Sequence, residues 1–593
     1  MSGSTLKYAA VAALCAILAL AGNGATSVFD RDEARFALAV REMQARGEAL
    51  VPTNWGEPRY HKPILIYWLA LASERLLGPG EFALRFPSAV CGVLTCLLTM
   101  LAARSFLAAP WRAGLVLTTA LFFVIEAKIC TADGLLLLSL AMSFVAWLRL
   151  RHAPPHPHRW QTLFWTGVGI GLLAKVVNVG FLLAAVAARA MLRHDTAPAL
   201  RRLLFAILIV GAVGASFGPT GFLGPLALAA AAVVCVIAHR QTPGEHPKAP
   251  KMGCHWGGPL ALAMFGLWVI PALIRTRAAF LTEGLLHHLF ARTAQDFEGH
   301  SGFPGYYAAT LMASFFPWAA LAPMALRNAW RQRKQSDDAA FLLAWVAGPW
   351  VLVELTATKL PHYMLASFPA LAILVAREWE RRSAGGFDVP PWARRLEAIL
   401  VAAPCLGLAG AAAGLATMFA WAPLRLAAAA LALAALAWGG AVAAQLWRST
   451  VRAADRTMVV MAGGAATLYL ILAVLVLPAM EPLRIARPLG SAVSALVRPG
   501  ERLIIHKFSH ASVGFYLPRA PERINDRAAV AQALSVDSKP EALVIVPNGD
   551  NNPRFNKILQ ERPVLYQRVG VVRGVILPEW ETHEIWIVRA GKP

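Results

Sequence analysis

Two apolar stretches in the second half of the chain decide the fold: residues 397–418 read EAILVAAPCLGLAGAAAGLATM, and residues 424–447 read LRLAAAALALAALAWGGAVAAQLW. Each is as long as the roughly 20 residues that an α-helix needs to cross a bilayer. Glu397 and Arg425 are the only charged side chains in them. The pair is typical of a transmembrane helical hairpin, and it excludes a single soluble globular domain.

Apolar stretches of similar length recur from Leu6 to Leu477. Of the 593 residues, 57% are hydrophobic and 15% are charged, whereas charged residues make up about 25% of soluble domains. The composition predicts a mainly α-helical, polytopic membrane protein with about 13–15 transmembrane helices. The predicted spans are a first helix that ends near Asn23, then residues 83–103, 113–126, 134–149, 161–174, 177–192, 203–217, 222–239, 257–274, 307–326, 339–356, 363–377, 397–418, 424–447 and 457–479.

The charge distribution explains the strongly basic composition. A net charge of +22 follows from 56 Lys and Arg against 34 Asp and Glu. Most basic residues stand in short loops between apolar stretches, which is the pattern of cytoplasmic loops in membrane proteins. They lack the interleaved aromatic side chains that stack on nucleotides. The pattern favours a membrane as the partner and gives no support to nucleic acid.

The stretch 64–77 decides which side of the membrane each later loop faces. It is shorter than a span, carries Glu74 and Arg75, and contains the aromatic pair Tyr67 and Trp68, which is typical of a helix that lies in the membrane interface. The basic loops then fall on the inner side, and residues 27–62 fall on the outer side with the end of the chain. If the stretch crossed the membrane, every later loop would change sides.

The end of the chain is predicted to be water-soluble. Short β-rich stretches alternate there with helical ones, which indicates a small α/β domain. We therefore divide the chain into a membrane domain, 1–482, and a soluble domain, 483–593, with a possible inserted helical hairpin at 203–239. The predicted elements of the soluble domain include Arg502 to Ile505, Ala542 to Val546, Glu584 to Val588 and the helical stretch Asp526 to Leu534.

Two patterns that suggest cofactors have simpler interpretations. Gly167, Gly169 and Gly171 resemble a nucleotide-binding pattern, but they stand inside an apolar stretch without a preceding strand or a following acidic residue. Close packing of helices is the favoured interpretation. The seven cysteines lack the paired spacing of a zinc site. No nucleotide cofactor is expected.

The outer segment 27–62 is unusually rich in charge for a loop at a membrane surface. It contains Asp30 to Arg35, Arg41-Glu42 and Arg59 to Lys62. Helical spacing from Asp32 would bring Arg35 to its side. One interpretation is an exposed amphipathic helix whose acids and bases neutralise each other. The other is a site in which a carboxylate acts as a base and a lysine binds phosphate.

Charges at other predicted outer helix ends favour the second interpretation. They stand at Glu126, Lys128, Asp133, Lys175 and 358–363. Snorkelling towards the interface explains any one of them, but together on one face they would line a polar pocket at the membrane boundary. The loop between residues 275 and 307 adds further basic side chains, namely Arg275, Arg277, His287, His288, Arg292 and His300.

At these residues the sequence resembles the membrane glycosyltransferases that use polyprenyl-phosphate sugars. The likeness is strongest to the bacterial lipid A aminoarabinose transferases, which are related to the protein O-mannosyltransferases. The most specific phrase is Asp32 to Phe36 with Arg41-Glu42-Met43. The other matching phrases, in family order, are Arg59 to Pro63 with Tyr67-Trp68, Glu81 to Ser88, Ala132-Asp133, Ala174-Lys175, Gly302 to Tyr307 with Pro317-Trp318, and Lys359 to Tyr363.

The resemblance implies roles for individual residues. Asp32 corresponds to the catalytic carboxylate of the family, Lys62 binds the phosphate of the donor, and Asp133 faces the same cavity. Asp30, which stands before the family phrase, is expected to be merely solvated. The residues assigned to substrate binding are Glu33, Arg35, Tyr60, Lys175, Arg292, His300, Lys359, His362 and Tyr363.

The sequence departs from the family pattern at three places. His61 precedes Lys62 where the family often has a glutamate associated with metal binding. Histidine also binds zinc, so His61 and His288 are the candidate ligands of a divalent metal (zinc, or magnesium or manganese), and the need for one stays open. The lysine-glycine pair of the family is Lys175-Val176 here. The hairpin 203–239 is additional.

These observations predict a glycosyltransferase of the bacterial inner membrane, with the active site and the soluble domain in the periplasm. It would transfer a sugar from a polyprenyl-phosphate donor, such as an undecaprenyl phosphate sugar, to a lipid A-like or other lipid or glycan acceptor of the cell envelope. A protein O-mannosyltransferase-like activity is the alternative within the enzyme class. The alternative from another class is a transporter or flippase of lipids or sugars, which would place binding groups near the middle of the membrane.

Overall fold

The structure is a computed structural model that describes residues 3–193, 203, 206–208, 210, 251–280, 282, 302–384, 389–448, 454–535, 541–547, 566–576 and 581–590. Nearly all of the predicted hairpin 203–239 lies outside the described residues. The same holds for residues 283–301, which carry three of the predicted site residues, His288, Arg292 and His300.

Helices build the membrane domain, and their bounds follow the apolar stretches. The first elements are α1 (Gly3–Leu20), α2 (Asp32–Arg46), the two-stranded hairpin β1 (Thr53–Asn54) and β2 (Glu57–Pro58), α3 (Leu65–Leu77), α4 (Glu81–Ala103), α5 (Trp111–Thr118), α6 (Leu121–Lys128), α7 (Asp133–Arg151), α8 (Pro157–Ala174), α9 (Asn178–Arg193) and α10 (Cys254–Arg275). The next are α11 (Tyr306–Ser314), α12 (Ala322–Gln332), α13 (Asp337–Glu354), α14 (Phe368–Ser383), α15 (Pro391–Met418), α16 (Ala422–Arg448), α17 (Ala454–Ile471) and α18 (Leu477–Met480).

The described helices confirm the prediction of a polytopic helical membrane protein. Six described helical stretches are long and apolar enough to cross a membrane: Glu81–Ala103, Asp133–Arg151, Cys254–Arg275, Pro391–Met418, Ala422–Arg448 and Asp455–Leu483, the last of which includes α17, the π-helical segment Leu472–Val476 and α18. The apolar stretches 397–418 and 424–447 lie in α15 and α16, which pack against each other as a hairpin.

Two predicted continuous spans, 113–126 and 307–326, are each broken into two helices. The breaks face each other: the backbone N–H of Leu121 donates to the carbonyl of Phe316 at 3.1 Å. The Trp318 indole donates to the Thr119 hydroxyl at 2.9 Å, and the Tyr469 hydroxyl donates to the Phe316 carbonyl at 3.0 Å. A backbone that leaves a helix inside a membrane must find such partners, so each break depends on the other.

The glycines of α8 serve close packing, as the sequence predicted. A Cβ atom added at Gly167 would lie 2.8 Å from the carbonyl oxygen of Ser139 in α7. At Gly169 it would lie 2.6 Å from the sulfur of Met264 in α10. The side of α8 that carries these glycines therefore packs directly on its neighbours, and the carboxyl end of α8 is brought next to α7.

Helix α3 is too short to cross a bilayer. Its 13 residues extend about 20 Å, against a hydrocarbon core of roughly 30 Å. Ile66, Tyr67 and Ala70 are buried against the protein, whereas Leu76 is exposed. A short helix with one buried side and an exposed end agrees with a position along the membrane interface. Helix α3 follows the charged segment 27–62, which contains α2.

The soluble domain is a small α/β sandwich that follows a 3₁₀ turn at Glu481–Leu483. Its elements are α19 (Ala486–Leu496), β3 (Arg502–Ile505), α20 (Ala511–Tyr516), β4 (Glu522–Arg523), α21 (Arg527–Ala533), β5 (Ala542–Pro547), β6 (Tyr566–Ile576) and β7 (Glu581–Ala590). The sheet order is β4-β3-β5-β7-β6, in which β4, β3 and β5 are parallel and β7 is antiparallel to both of its neighbours.

Both faces of this sheet are buried. Leu503 and Ile505 pack with Leu489 on one face, whereas Ile504 packs with Val530 and Leu534 on the other. A strand covered on both faces needs a continuous apolar sequence, which explains why Arg502 to Ile505 and Ala542 to Val546 were recognisable as strands. The predicted α/β character of the tail is confirmed.

Candidate active site

Helix α2 presents Asp32 at its first turn. The Asp32 side chain is 53% exposed, and Arg35, one turn later, lies 3.8 Å from its carboxylate. Ala34, Phe36, Ala37 and Val40 on the other face of α2 are buried. The sequence therefore forms an amphipathic helix that packs one face on the bundle and leaves Asp32 accessible.

Glu33, the neighbour of Asp32, points the opposite way. Its carboxylate is buried and accepts from the Arg85 guanidinium of α4 at 2.7 and 2.9 Å. It also accepts from the backbone N–H of Phe29 at 2.8 Å and of Cys130 at 3.0 Å. The prediction that Glu33 binds substrate is corrected, because every one of these partners is part of the protein and the side chain is only 2% exposed.

This ion pair fixes two parts of the site relative to each other. Arg85 also donates to the carbonyls of Asn23 at 2.6 Å, Thr26 at 2.9 Å and Ser27 at 3.0 Å. Glu33 thus connects α2, the segment before it and the linker at Cys130 that leads to α7. Asp32 and Asp133 stand at the beginnings of α2 and α7, so the network sets their separation.

Asp133 begins α7 and holds a second ion pair. Its carboxylate lies 2.5 Å from the ammonium of Lys175, which directly follows α8. His362 Nε2 lies 3.9 Å from the same oxygen, and the Lys175 ammonium lies 5.4 Å from the centre of the Tyr363 ring. Residues from α7, α8 and the 3₁₀ segment Pro361–Ser367 therefore meet at one point.

Electrostatics join Asp32 to this cluster. Burial alone would raise the pKa of Asp32, but the positive charges of Lys62, His362, Lys175 and Arg35 outweigh it and hold the pKa below its ordinary value. Burial is the main influence on the pKa of His362 and lowers it, whereas the nearby Asp133 carboxylate raises it. The structure brings together six predicted residues: Asp32, Arg35, Lys62, Asp133, Lys175 and His362, with Tyr363 beside them.

Tyr60 and His61 border the cluster on the loop before α3. The Tyr60 ring makes an edge contact with Phe280 at 5.9 Å, and His61 is exposed. Arg59, which precedes them in the chain, is buried: its guanidinium is 5.3 Å from the centre of the Phe36 ring and donates to the Tyr67 hydroxyl at 3.0 Å. The anchored Arg59 thereby places Lys62 next to α2.

Lys359 does not join the site. It is 1% exposed, and its ammonium donates to the backbone carbonyls of Glu354 at 2.7 Å and Thr356 at 3.0 Å. Glu354 is the last residue of α13 and Thr356 lies two residues beyond it, and carbonyls at a helix end need donors. The prediction that Lys359 binds substrate is corrected: it caps the helix that precedes the His362 segment. Lys128, another charge at a helix end, bonds likewise to the carbonyl of Leu18.

Glu126 and Arg85 are two residues of the site region that received no individual role in the sequence analysis, although Glu126 was among the charges expected to line a polar pocket. Glu126 is buried at the end of α6, accepts from the Thr131 hydroxyl at 2.7 Å, and interacts electrostatically with Asp133, Lys175 and Asp32. Its charge at the end of a predicted span was the available signal. For Arg85 the signal was a lone arginine inside an apolar helix, because such a charge needs a buried partner.

The described residues do not complete a metal site. Among them, no group of three or more His, Cys, Asp or Glu side chains is arranged to bind a metal ion. The predicted partner of His61, His288, lies outside the described part of the chain, as do Arg292 and His300. The need for zinc, magnesium or manganese therefore stays a prediction, and no catalytic step is assigned to a metal.

The soluble domain packs on the same end of the bundle. The Tyr516 hydroxyl donates to Glu81 at the beginning of α4 at 2.6 Å, Arg487 lies 2.6 Å from the same carboxylate, and Arg523 lies 3.3 Å from Glu57 of the hairpin. The segment 27–62 and the tail domain therefore lie on one side of the membrane bundle.

Asp30 belongs to this contact. It interacts with Ser512, His510 and Arg484 of the tail domain. Burial raises the pKa of Asp30, and the interaction with Ser512 opposes that change. The expectation that Asp30 is merely solvated is wrong, because the tail domain covers it. Three carboxylates within four residues, Asp30, Asp32 and Glu33, thus face three different surroundings.

The arrangement is suited to a displacement reaction in which a hydroxyl group attacks and a negatively charged phosphate leaves. An ionised carboxylate, Asp32, stands beside two lysines, Lys62 and Lys175, and one of these is itself held by Asp133. A carboxylate can accept a proton from an attacking hydroxyl group, and lysines can stabilise the negative charge of a departing phosphate. All four lie at a bundle end where an amphipathic lipid and a water-soluble group can meet.

Comparisons with known proteins find similar sequences and a similar fold. Residues 61–219 match the family model described as dolichyl-phosphate-mannose-protein mannosyltransferase. The undecaprenyl phosphate-alpha-4-amino-4-deoxy-L-arabinose arabinosyl transferase 2 of Sodalis glossinidius is 28% identical over 355 residues, 59% of this chain and 56% of that protein. The undecaprenyl phosphate-alpha-4-amino-4-deoxy-L-arabinose arabinosyl transferase of Serratia proteamaculans is 27% identical over 348 residues, 58% of this chain and 54% of that protein. The chain spans about half the length of the curated relatives it matches.

A solved structure shares the whole fold. The crystal structure of ArnT from Cupriavidus metallidurans bound to undecaprenyl phosphate aligns with a TM-score of 0.70 at 18% identity, covering 99% of this chain and 98% of that one. The match includes the tail domain as well as the bundle. The resemblance stated from the sequence and the predicted fold are both confirmed, and the chain is a multi-pass membrane protein.

Proposed function

We propose, from this similarity and from the geometry of the charged cluster, that the protein is an integral-membrane glycosyltransferase. It transfers a sugar from a polyprenyl-phosphate donor to a lipid A-like or other envelope acceptor. The active site and the soluble domain lie on the periplasmic face of the bacterial inner membrane. The observation that carries the proposal is the cluster of charged residues. Asp32 interacts electrostatically with Lys62 and with Lys175, and Lys175 forms an ion pair with Asp133 at 2.5 Å.

The proposed reaction is a direct displacement at the anomeric carbon. An acceptor oxygen forms the new bond to that carbon as the bond to the phosphate oxygen breaks, and polyprenyl phosphate leaves with the bonding electrons. Asp32 accepts the proton of a hydroxyl acceptor, or orients the acceptor if it is an ionised phosphate. Lys62, together with Lys175 of the same cluster, stabilises the departing phosphate.

The pairing within the cluster supports different roles for the two acids. Asp133 is neutralised by Lys175 at contact distance, so its main effect is to fix that ammonium. The Asp32 carboxylate lies 3.8 Å from the Arg35 guanidinium, which is beyond hydrogen-bond distance, and the side chain remains half exposed. We therefore assign proton acceptance to Asp32 and the positioning of Lys175 to Asp133.

The acceptor is what separates the two candidate enzyme activities. The family model matched by residues 61–219 is described by its protein acceptor, which favours a protein O-mannosyltransferase-like activity. Purified protein in detergent, given a radiolabelled undecaprenyl-phosphate sugar with either lipid A or a serine-rich peptide, distinguishes them. Label in lipid A supports the first proposal, and label in the peptide alone supports the second.

A transporter or flippase would move the donor without consuming it. In the same assay it would leave the sugar on the polyprenyl phosphate with either acceptor. Release of unsubstituted undecaprenyl phosphate in step with acceptor labelling is expected of the enzyme. Absence of both, with protein that binds the donor, would contradict the proposed function.

Lys62→Ala is expected to lower the turnover number and raise the KM for the donor together, because the same ammonium binds the donor phosphate and stabilises it as it leaves. Among the positive charges that lower the pKa of Asp32, Lys62 also has the largest effect. Its removal should raise that pKa, so the acid side of the pH profile should move to higher pH. Steady-state rates across a pH series measure both effects.

Lys507→Ala is the matched control, because Lys507 is exposed on the soluble domain. It should leave the KM and the pH profile unchanged. An unaltered pH profile in a folded Lys62→Ala protein would contradict the proposed electrostatic link to Asp32.

Sidedness is testable by cysteine labelling in a cysteine-free background. Glu57 of the hairpin and Arg573 of the tail have side chains 79% and 76% exposed. Glu57→Cys and Arg573→Cys should react with a membrane-impermeant thiol reagent in intact cells. Arg331→Cys, on an exposed position of a predicted inner loop, should react only after lysis. The reverse pattern would place the site in the cytoplasm.

A further inference from the structure

The short segment before α2 is held by the chain that leads into the soluble domain. Arg484 donates to the backbone carbonyls of Ser27 at 2.8 Å and Val28 at 2.5 Å. Its guanidinium lies 4.9 Å from the centre of the Phe29 ring. Arg85, from α4, lies 5.6 Å from the same ring and donates to the Ser27 carbonyl as well. Phe29 is therefore contacted by two arginines, one from each domain.

Glu481, which lies just before the soluble domain, and Tyr516, within that domain, also bond to this segment. Glu481 accepts from the Ser27 backbone N–H at 2.9 Å and from its hydroxyl at 3.2 Å. The Tyr516 hydroxyl accepts from the Val28 N–H at 3.0 Å. The backbone of Ser27 and Val28 thus has its polar groups bonded to residues at or beyond 481, and Asp32 begins its helix only four residues later.

These contacts matter for chemistry because the segment leads directly into the helix that presents Asp32. A carboxylate that accepts a proton must stand within hydrogen-bond reach of the attacking group. A shift of about 1 Å in such a group, caused from a distance, can reduce the rate on the order of 10²-fold. Arg85 holds the segment from the membrane side through buried bonds, and Arg484 holds it from the outer side.

We propose that Arg484 is a positioning residue for Asp32. Through this contact the soluble domain helps to set the geometry of the active site. The inference rests on the proposed function for its catalytic consequence. Arg484 acts through the backbone of residues 27–29. Its loss should therefore affect the step that uses Asp32 more than the binding of the donor phosphate, for which Lys62 and Lys175 remain.

The test compares Arg484→Ala and Arg484→Lys with Arg498→Ala in the full-length protein in detergent. Arg498 is the matched control, because its side chain is 62% exposed and pairs on the surface of the same domain with Glu541 at 3.4 Å. Two quantities are measured: steady-state turnover and KM for an undecaprenyl-phosphate sugar, and hydrogen–deuterium exchange of peptides that cover residues 24–36 and 502–505.

We expect Arg484→Ala to lower turnover about tenfold or more while KM changes by less than about threefold. Exchange should become faster in residues 24–36 and stay unchanged in β3. Arg484→Lys should restore part of both, because an ammonium can still donate to one of the two carbonyls. Arg498→Ala should match the wild-type protein.

Three outcomes would overturn the inference. One is normal turnover with normal exchange in Arg484→Ala. The second is faster exchange in β3 as well, which would make Arg484 a residue of domain stability. The third is a rise of KM with unchanged turnover. If the wild-type protein transfers no sugar, the proposed function fails, and the exchange measurement still decides whether Arg484 holds residues 24–36.

Discussion

Asp32→Asn is expected to lower the rate of sugar transfer on the order of 10²-fold or more, the usual effect of losing a general base. The substitution keeps the shape of the side chain and removes its negative charge. Asp32 is held ionised by the surrounding positive charges, with a pKa below its ordinary value, so the wild-type carboxylate is available as a base throughout the neutral range. The measurement is transfer from a polyprenyl-phosphate sugar by purified protein, with KM for the donor determined alongside.

The control must match Asp32 in exposure without sharing its surroundings. Asp455 has a side chain 52% exposed and pairs with Arg112 at 2.6 Å, close to 53% for Asp32, but it lies at the opposite end of the bundle. Asp455→Asn should transfer sugar normally. Asp30→Asn does not serve as a control, because Asp30 interacts with residues of the tail domain. Near-normal transfer by folded Asp32→Asn protein would contradict the catalytic assignment.

Glu33→Ala is expected to cost about 3–5 kcal/mol of stability, the range for breaking a buried ion pair by removing one partner. The side chains of Glu33 and Arg85 are both 2% exposed, so the guanidinium would stay buried without its counter-charge. Two backbone N–H groups, those of Phe29 and Cys130, would lose their acceptor as well. The midpoint of thermal or denaturant unfolding in detergent measures the loss.

Two comparisons show whether the cause is the buried charge. Glu541→Ala removes an exposed partner, 61% accessible, and should cost less than about 1 kcal/mol. The double variant Glu33→Met with Arg85→Met removes both charges and should be more stable than Glu33→Ala alone. A double variant less stable than the single one would mean that the bonds of Arg85 to the backbone outweigh its charge.

Much of the fold was predictable because a membrane and a sheet buried on both faces impose strong patterns. Apolar stretches of about 20 residues identify spans without reference to any neighbour, and α15 and α16 follow them closely. The tail strands Arg502 to Ile505 and Ala542 to Val546 were recognisable because burial on both faces requires continuous β-branched and aliphatic residues. Charged residues at the ends of neighbouring helices indicated a site, because charged side chains in contact with a bilayer are costly and commonly have a function.

Local patterns in the chain were therefore enough to predict the helical membrane domain, the α/β class of the tail and most of the residues that supply charge to the site. What each charge does depends on the folded arrangement. Asp30, Asp32 and Glu33 all carry carboxylates, so residue type does not distinguish their roles. In the folded protein Asp30 interacts with Ser512, Asp32 interacts electrostatically with Lys62, and Glu33 forms an ion pair with Arg85. Lys175 and Lys359 likewise both stand at predicted helix ends. In the structure Lys175 pairs with Asp133 in the site, whereas Lys359 caps a helix. A charged group takes its role from the partners within a few ångströms of it, and those partners come from segments up to several hundred residues away in the chain.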